Sequence, residues 1–227
     1  MSTLFRSKNE IVHDLLHQEI IRGEYKPGER IIIDDVAARL GVSTIPVREA
    51  LRQLEADGFV DIVPYIGATV TEIGADSIFG IFALLETMEA ICARTVCGCM
   101  SEEEIQNLQN MVQQMDECLD EPEIWSNLNK EFHLQICDYA NSKLIREMMH
   151  KVLEHWDRLR VHYMNDVLGL RLEMAQVEHR QIIAAFHSGD ADEAERLVRA
   201  HNQSALAAYN NYLQAAGHLD REMGDCL

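Results

Sequence analysis

The stretch "DVAARLGVSTIPVREALRQLEADGFV", residues 35–60, constrains the fold more than any other part of the chain. Two short helical patterns meet at Gly41, and Pro46 falls in the first turn of the second, where a missing N–H costs little. Asp34 or Asp35 is placed to cap the first helix, which runs to Leu40. Ser43 caps the second, and Asp57-Gly58 stops it. Ala37, four residues before Gly41, lets the two helices cross closely. Val47, Leu51 and Leu54 form a buried stripe, so the opposite face presents Thr44, Arg48 and Arg52, the last two one turn apart. Upstream, "KNEIVHDLLHQEIIRGEY" sets Ile11, Leu15 and Ile20 at helical spacing, ends at Gly23 and is followed by the turn "KPGER". Downstream, "FVDIV" and "GATVTEI" read as two short strands around Pro64-Tyr65-Ile66-Gly67. Helix, helix, tight turn, helix, hairpin is the order of a winged helix-turn-helix. Such a second helix, entering a major groove N-terminus first, offers its arginine face to bases and phosphates. The competing reading of these residues is a helical hairpin for protein contacts, with Arg48 a solvated charge.

Charge restricts how nucleic acid could be bound. The net charge is −18, which argues against non-specific binding through a broad cationic surface. Residues 1–72 hold 8 Lys+Arg against 12 Asp+Glu, and the remainder 12 against 26. The N-terminal part is less acidic but not basic, so any DNA contact must come from a locally placed face. The chain lacks an apolar run near the roughly 18 residues of a membrane span, and "MSTLFRSKNE" lacks the apolar stretch of a signal peptide. A cytoplasmic location is expected. The six cysteines (Cys92, Cys97, Cys99, Cys118, Cys137, Cys226) are irregularly spaced, which suits free thiols in helix packing rather than a disulfide framework or a paired zinc site.

From Ala75 onward the pattern is helical throughout. "DSIFGIFALLETMEAICARTV" is one long apolar-rich helix, and Ser101 with Glu104 makes a capping box for the next. Asp120-Glu121-Pro122 breaks that helix. Further helices are expected over about 123–139, 142–167 and 170–187, and Ser188-Gly189 precedes a last one capped by Asp190 and Glu193. Six or seven helices with short connections make an antiparallel bundle. Three histidines lie within apolar stripes: His133 in "NKEFHLQIC", His179 in "QVEHRQIIAAF" and His201 in "RLVRAHNQSAL". Imidazoles converging from separate helices suit a divalent transition metal, whereas each alone also fits a core histidine bonded to a carbonyl.

Residues 10–73 resemble the GntR-type winged helix, through "LGVSTIPVREALRQLEADGFV" and the preceding "PGERI". The resemblance implies DNA binding through Ser43, Thr44, Pro46, Arg48, Arg52 and Gly67. Two departures reduce the cations: Thr44 and Ile45 stand where the family often has Arg after Ser, and Ile66 stands beside the wing glycine. Residues 76–215 resemble the FCD effector domain of the FadR-like branch, through "NKEFH", "EHRQIIAAF" and "GDADEAERLVRAH". That resemblance implies a zinc, nickel or manganese-like ion on His133, His179 and His201, with Asn129 where the family usually has Asp. It also implies an organic-acid effector, although Leu85 replaces the arginine that commonly binds its carboxylate. Arg94, Arg158 and Arg160 are the candidate substitutes. The expected chain is a mostly α, dimeric regulator rather than an enzyme, probed by operator DNA at 1–73 and by a small molecule at 76–218, with a frayed tail over 219–227. Repression is the usual sign in this family. Two alternatives stay open: the metal itself as signal, or a metal-dependent helical enzyme, for which no general base is evident.

Overall fold

The computed structural model describes residues 7–63, 67–163 and 165–215. The chain divides into two compact units, one of Met1–Gly74 with Asp157–His162, the other of Ala75–Trp156 with Tyr163–Leu227. Among the described residues no helix is long and apolar enough to cross a membrane.

In the first unit the order is α1 (Lys8–Ile21), β1 (Arg30–Ile31), α2 (Ile33–Leu40), α3 (Thr44–Ala56), β2 (Val60–Val63) and β3 (Gly67–Val70). Helix α1 starts at a capping box, Ser7 with Glu10, in which side chain and backbone satisfy each other's unpaired groups. Its buried stripe is Val12, Leu16 and Ile20, whereas Ile11 is half exposed. The expected stripe of Ile11, Leu15 and Ile20 is therefore corrected by a small rotation of the helix. Val47, Leu51 and Leu54 of α3 close the core as expected, joined by Ala50, by Phe59 and by the inward strand residues Val60, Ala68 and Val70. Gly41 takes φ 64° and its N–H reaches back to the carbonyls of Ala37 and Ala38, a left-handed cap that L side chains disfavour.

Two capping expectations change. The N-cap of α2 is Ile32, and Asp34 and Asp35 lie inside its first turn, where they face the positive end of the helix dipole instead of capping it. Ser43 occupies the N-cap of α3, but its hydroxyl makes no capping hydrogen bond. The sheet has the order β1-β3-β2, both pairings antiparallel, with Arg30 opposite Thr69 and Val63 opposite Gly67. Strand β1 was not expected, because two residues carry no period. The expected turn residues Pro64, Tyr65 and Ile66 lie outside the described residues.

Beyond Gly74 the described chain is helical: α4 (Ala75–Val96), α5 (Glu102–Asp116), α6 (Pro122–Tyr139), α7 (Lys143–Tyr163), whose Asp157–His162 segment belongs to the first unit, α8 (Asn165–Ser188) and α9 (Ala191–Ala215). The Ser101–Glu104 capping box is present, and Asp190 accepts from the Glu193 N–H at 3.0 Å. Helix α8 begins at Asn165, earlier than expected, since no strong breaker separates it from α7. Helix α9 packs along α4 and α8, and α6 packs against α4, α5 and α8. Five described cysteines are free thiols. Cys92 and Cys137 are buried, and a hydrogen bond from Cys92, with burial, pushes the Cys137 thiol far up. Cys99, however, is exposed and takes no part in the packing. Cys226 and the expected tail over 219–227 lie outside the described residues.

Candidate functional site

Three helices each deliver one imidazole to a common point. His133 stands on the buried face of α6 beside Phe132 and Trp125, His179 on α8 and His201 on α9. All three are buried, and one ligand atom from each lies within 4.8 Å of the others. Ring centroids are 5.4 Å apart for His133 and His179, 5.1 Å for His133 and His201, and 4.8 Å for His179 and His201.

Every ring is held from behind through Nδ1. His133 Nδ1 lies 3.1 Å from Glu89 Oε2, His179 Nδ1 3.1 Å from Gln176 Oε1, and His201 Nδ1 2.7 Å from Glu178 Oε2. The Gln176 amide cannot be turned round, because its Nε2 donates to Val112 O and Asp116 Oδ1, both at 2.8 Å. Glu89 also accepts from Asn202 at 2.7 Å, and Glu178 accepts from Arg171 at 2.8 Å. An Nδ1–H bonded to an oxygen fixes the tautomer and leaves Nε2 as the basic nitrogen, the arrangement found behind metal-binding histidines.

Electrostatics act in the same direction. Burial, reinforced by the neighbouring histidines, Arg171 and Arg180, holds His179 well below the usual imidazole range. Burial also lowers His201, although Glu178 opposes it. Burial pushes Glu89 and Glu178 up, but His133 and Asn202 on the first, and His201 and Arg171 on the second, bring both below the ordinary carboxylate value. The lowering of His179 and His201, with ionised Glu89 and Glu178 behind the cluster, favours the protonation states a cation requires.

Among the described residues, the buried polar atoms without a hydrogen-bond partner include one on a histidine of the triad and one on the expected fourth donor. His179 Nε2 and Asn129 Oδ1 are both buried, and each such atom costs about 1–3 kcal/mol if it stays unpaired. Asn129, one turn before His133 on α6, lines the same cavity as His133 and His201. A cation among these atoms would satisfy both, so the donor set fits a divalent transition metal. That fit rests on three imidazole nitrogens and one amide oxygen.

The cavity beside the histidines is about 60 Å³, with Phe82, Leu85, Trp125 and Trp156 among its walls. Leu85 is buried there, where the resemblance would put an arginine. The three candidate substitutes are elsewhere. Arg94 is at the surface, pairing with Asp192 at 2.6 Å and Glu195 at 3.2 Å. Arg158 donates to the Thr71 hydroxyl at 2.7 Å and to the Thr71 carbonyl, and Arg160 lies beside Asp157. None of the three is among the residues that line the cavity. The cations lining the cavity are Lys130 and Arg171, and Arg171 is held by Glu178 and by the His201 carbonyl at 2.8 Å. Glu89, Gln176, Glu178 and Arg171 were not singled out as site residues from sequence. Gln176 precedes His179 by one turn, which is the signal that would have found it.

In the first unit, Arg48 and Arg52 are exposed on α3 with Ser43, Thr44 and Pro46 at its N-terminal end. Arg48, Arg52, Gly67 and Arg30 of β1 line one groove between recognition helix and sheet.

Comparison with known proteins agrees with both halves. Residues 8–70 match the bacterial regulatory proteins of the gntR family, and residues 80–204 match the FCD domain. The HTH-type transcriptional regulator YdhC of Bacillus subtilis is 28% identical over 195 residues, covering 83% of this chain and 85% of the relative. McbR of Escherichia coli is 24% identical over 209 residues, covering 89% and 93%. The solved structure of E. coli McbR/YncC superposes with a TM-score of 0.71 at 21% identity, covering 92% of this chain and 100% of that one. A GntR regulator from Rhodococcus gives 0.72 at 23%, covering 95% and 100%. These relatives are transcriptional regulators and not enzymes. The chain belongs to the GntR family of transcriptional regulators, with an FCD effector domain following its winged helix-turn-helix.

Proposed function

We propose that this regulator is a cytoplasmic repressor, released from operator DNA by a small organic acid that binds beside a divalent metal. The observation that carries the reading is the histidine triad, each Nδ1 facing a side-chain oxygen, with His179 Nε2 and Asn129 Oδ1 buried and unpartnered. His133, His179 and His201 would hold a zinc, nickel or manganese-like ion, with Asn129 as a weaker fourth donor. The ion would supply a Lewis-acidic point for an effector oxygen. Because imidazoles and an amide are neutral, no direct donor cancels its charge, and Glu89 and Glu178 offset it only from behind the rings, which favours a carboxylate head even without an arginine at Leu85. The apolar wall around Leu85 and Trp125 then receives the rest of the molecule.

The chain works as a homodimer on a pseudo-palindromic operator, since one recognition helix covers too few base pairs for useful specificity. Effector binding shifts the population toward a state of lower operator affinity. Equilibrium dialysis against zinc, nickel and manganese tests the centre: the native chain takes up one ion, and His179→Ala takes up none. A native chain that binds no ion at micromolar concentrations overturns the proposal. One observation favours a second reading, with the metal itself as the signal. The cavity of about 60 Å³ is far below the roughly 300–1,000 Å³ of metabolite pockets. Operator affinity that responds to chelator alone, with no organic acid altering it, selects that reading.

A further inference from the structure

We infer that Arg30 is a DNA-contacting cation that grips a backbone phosphate at the root of the wing, beside the recognition-helix arginines Arg48 and Arg52. The inference rests on the DNA-binding reading of the first unit. In a chain with 20 Lys+Arg against 38 Asp+Glu, an arginine finds a carboxylate easily. Arg39 sits on Glu19, Arg146 on Asp138, Arg171 on Glu178, Arg180 on Asp116, Arg196 on Glu193 and Arg199 on Glu195. Arg30, Arg48 and Arg52 have no such partner among the described residues, and all three border one groove. Asp34 is the single acid on that border, so the groove is net cationic within an otherwise acidic unit.

The strand pairing explains how Arg30 arrives there. Antiparallel pairing of β1 with β3 sets Arg30 across from Thr69 and Ile31 across from Ala68. Ile31 is buried, and alternation along the strand then sends Arg30 to the solvent face. Its guanidinium lies over Gly67, where a Cβ would come within 3.3 Å of both Nε and Nη2. Gly67 has φ 115°, a conformation that itself favours glycine. The bare glycine thus makes room for a planar cation at the wing. A guanidinium already steadied against backbone loses less freedom on meeting a phosphate than one on an open surface. Duplex DNA is the partner that presents phosphates to a recognition helix and a wing at once.

The test is fluorescence anisotropy of the full chain with operator and with unrelated duplex DNA across a salt series. Arg30→Ala should weaken both DNAs about three- to tenfold, and should make the slope of log affinity against log salt shallower by about 0.9. Arg30→Lys should recover the slope, and Arg196→Ala, a paired surface arginine, should change nothing. A matched melting temperature for Arg30→Ala and Arg30→Gln confirms intact folding. Unchanged affinity and slope in Arg30→Ala, with Arg48→Ala weakened, overturns the inference while leaving the DNA face in place. Unchanged binding in both variants overturns the DNA face itself. Loss confined to the operator, with the slope retained, means Arg30 reads bases and overturns the phosphate assignment.

Discussion

At residue 129 an amide stands in the position from which a carboxylate would add a full negative charge to the histidine cluster. Asn129→Asp should tighten metal binding, more for manganese than for zinc, which three imidazoles already suit. Metal stoichiometry and melting temperature, each with and without chelator, decide the matter. A variant that takes up no more metal and melts lower in both conditions carries an unpaired buried charge, and the histidines are then core residues. Glu178 offers a complementary measurement. It accepts from His201 Nδ1 and from Arg171, so Glu178→Gln removes the charge behind one ligand without touching the donors. Metal affinity should fall about 10- to 100-fold, read by competition with a chromophoric chelator; an unchanged affinity would show that the His201 ring needs no such support. The donors were legible in the sequence because three histidines sat in apolar stripes. Their supports were not. Glu178 is adjacent to His179 and points about 100° away from it along the helix, which in sequence made it look uninvolved. Only the packing of α8 on α9 shows that it turns to His201.

Among the elements, α3 and α1 differ in how firmly local sequence determines them. Gly41, Pro46 and Gly58 punctuate α3, and Val47, Leu51 and Leu54 leave only one face that can be buried. Arg48→Ala should therefore lower operator affinity by roughly 1–3 kcal/mol while leaving the melting temperature unchanged. An unaltered binding titration would mean that a different face meets DNA. In α1 the apolar residues Ile11, Val12, Leu15, Leu16 and Ile20 allow two neighbouring stripes, and only packing against α3 selects Val12, Leu16 and Ile20. Leu16→Ala should destabilise the first unit by about 2–5 kcal/mol, whereas Ile11→Ala should stay within about 0.5 kcal/mol. Denaturant midpoints check the pair, and equal losses would contradict the burial of this helix. Strand β1 had no such local signature, and it exists because β3 offers it hydrogen bonds.

For the whole molecule, symmetry and connectivity matter more than any single side chain. Sedimentation at micromolar concentration should show a dimer, and full operator affinity from a pure monomer would overturn the pseudo-palindromic reading. Within the second unit, the links behind the histidines reach far. His133 on α6 is tied to Glu89 on α4, and His201 on α9 to Glu178 on α8. His179 on α8 is tied through Gln176 to Val112 and Asp116 on α5. A load placed at the centre of the triad is thus transmitted to five helices, as in an arch whose stones meet at one keystone. Chelation should appear in amide hydrogen exchange as faster opening along α4, α5, α6, α8 and α9 together, a simultaneous loosening that a cross-link confined to its three ligand helices could not produce.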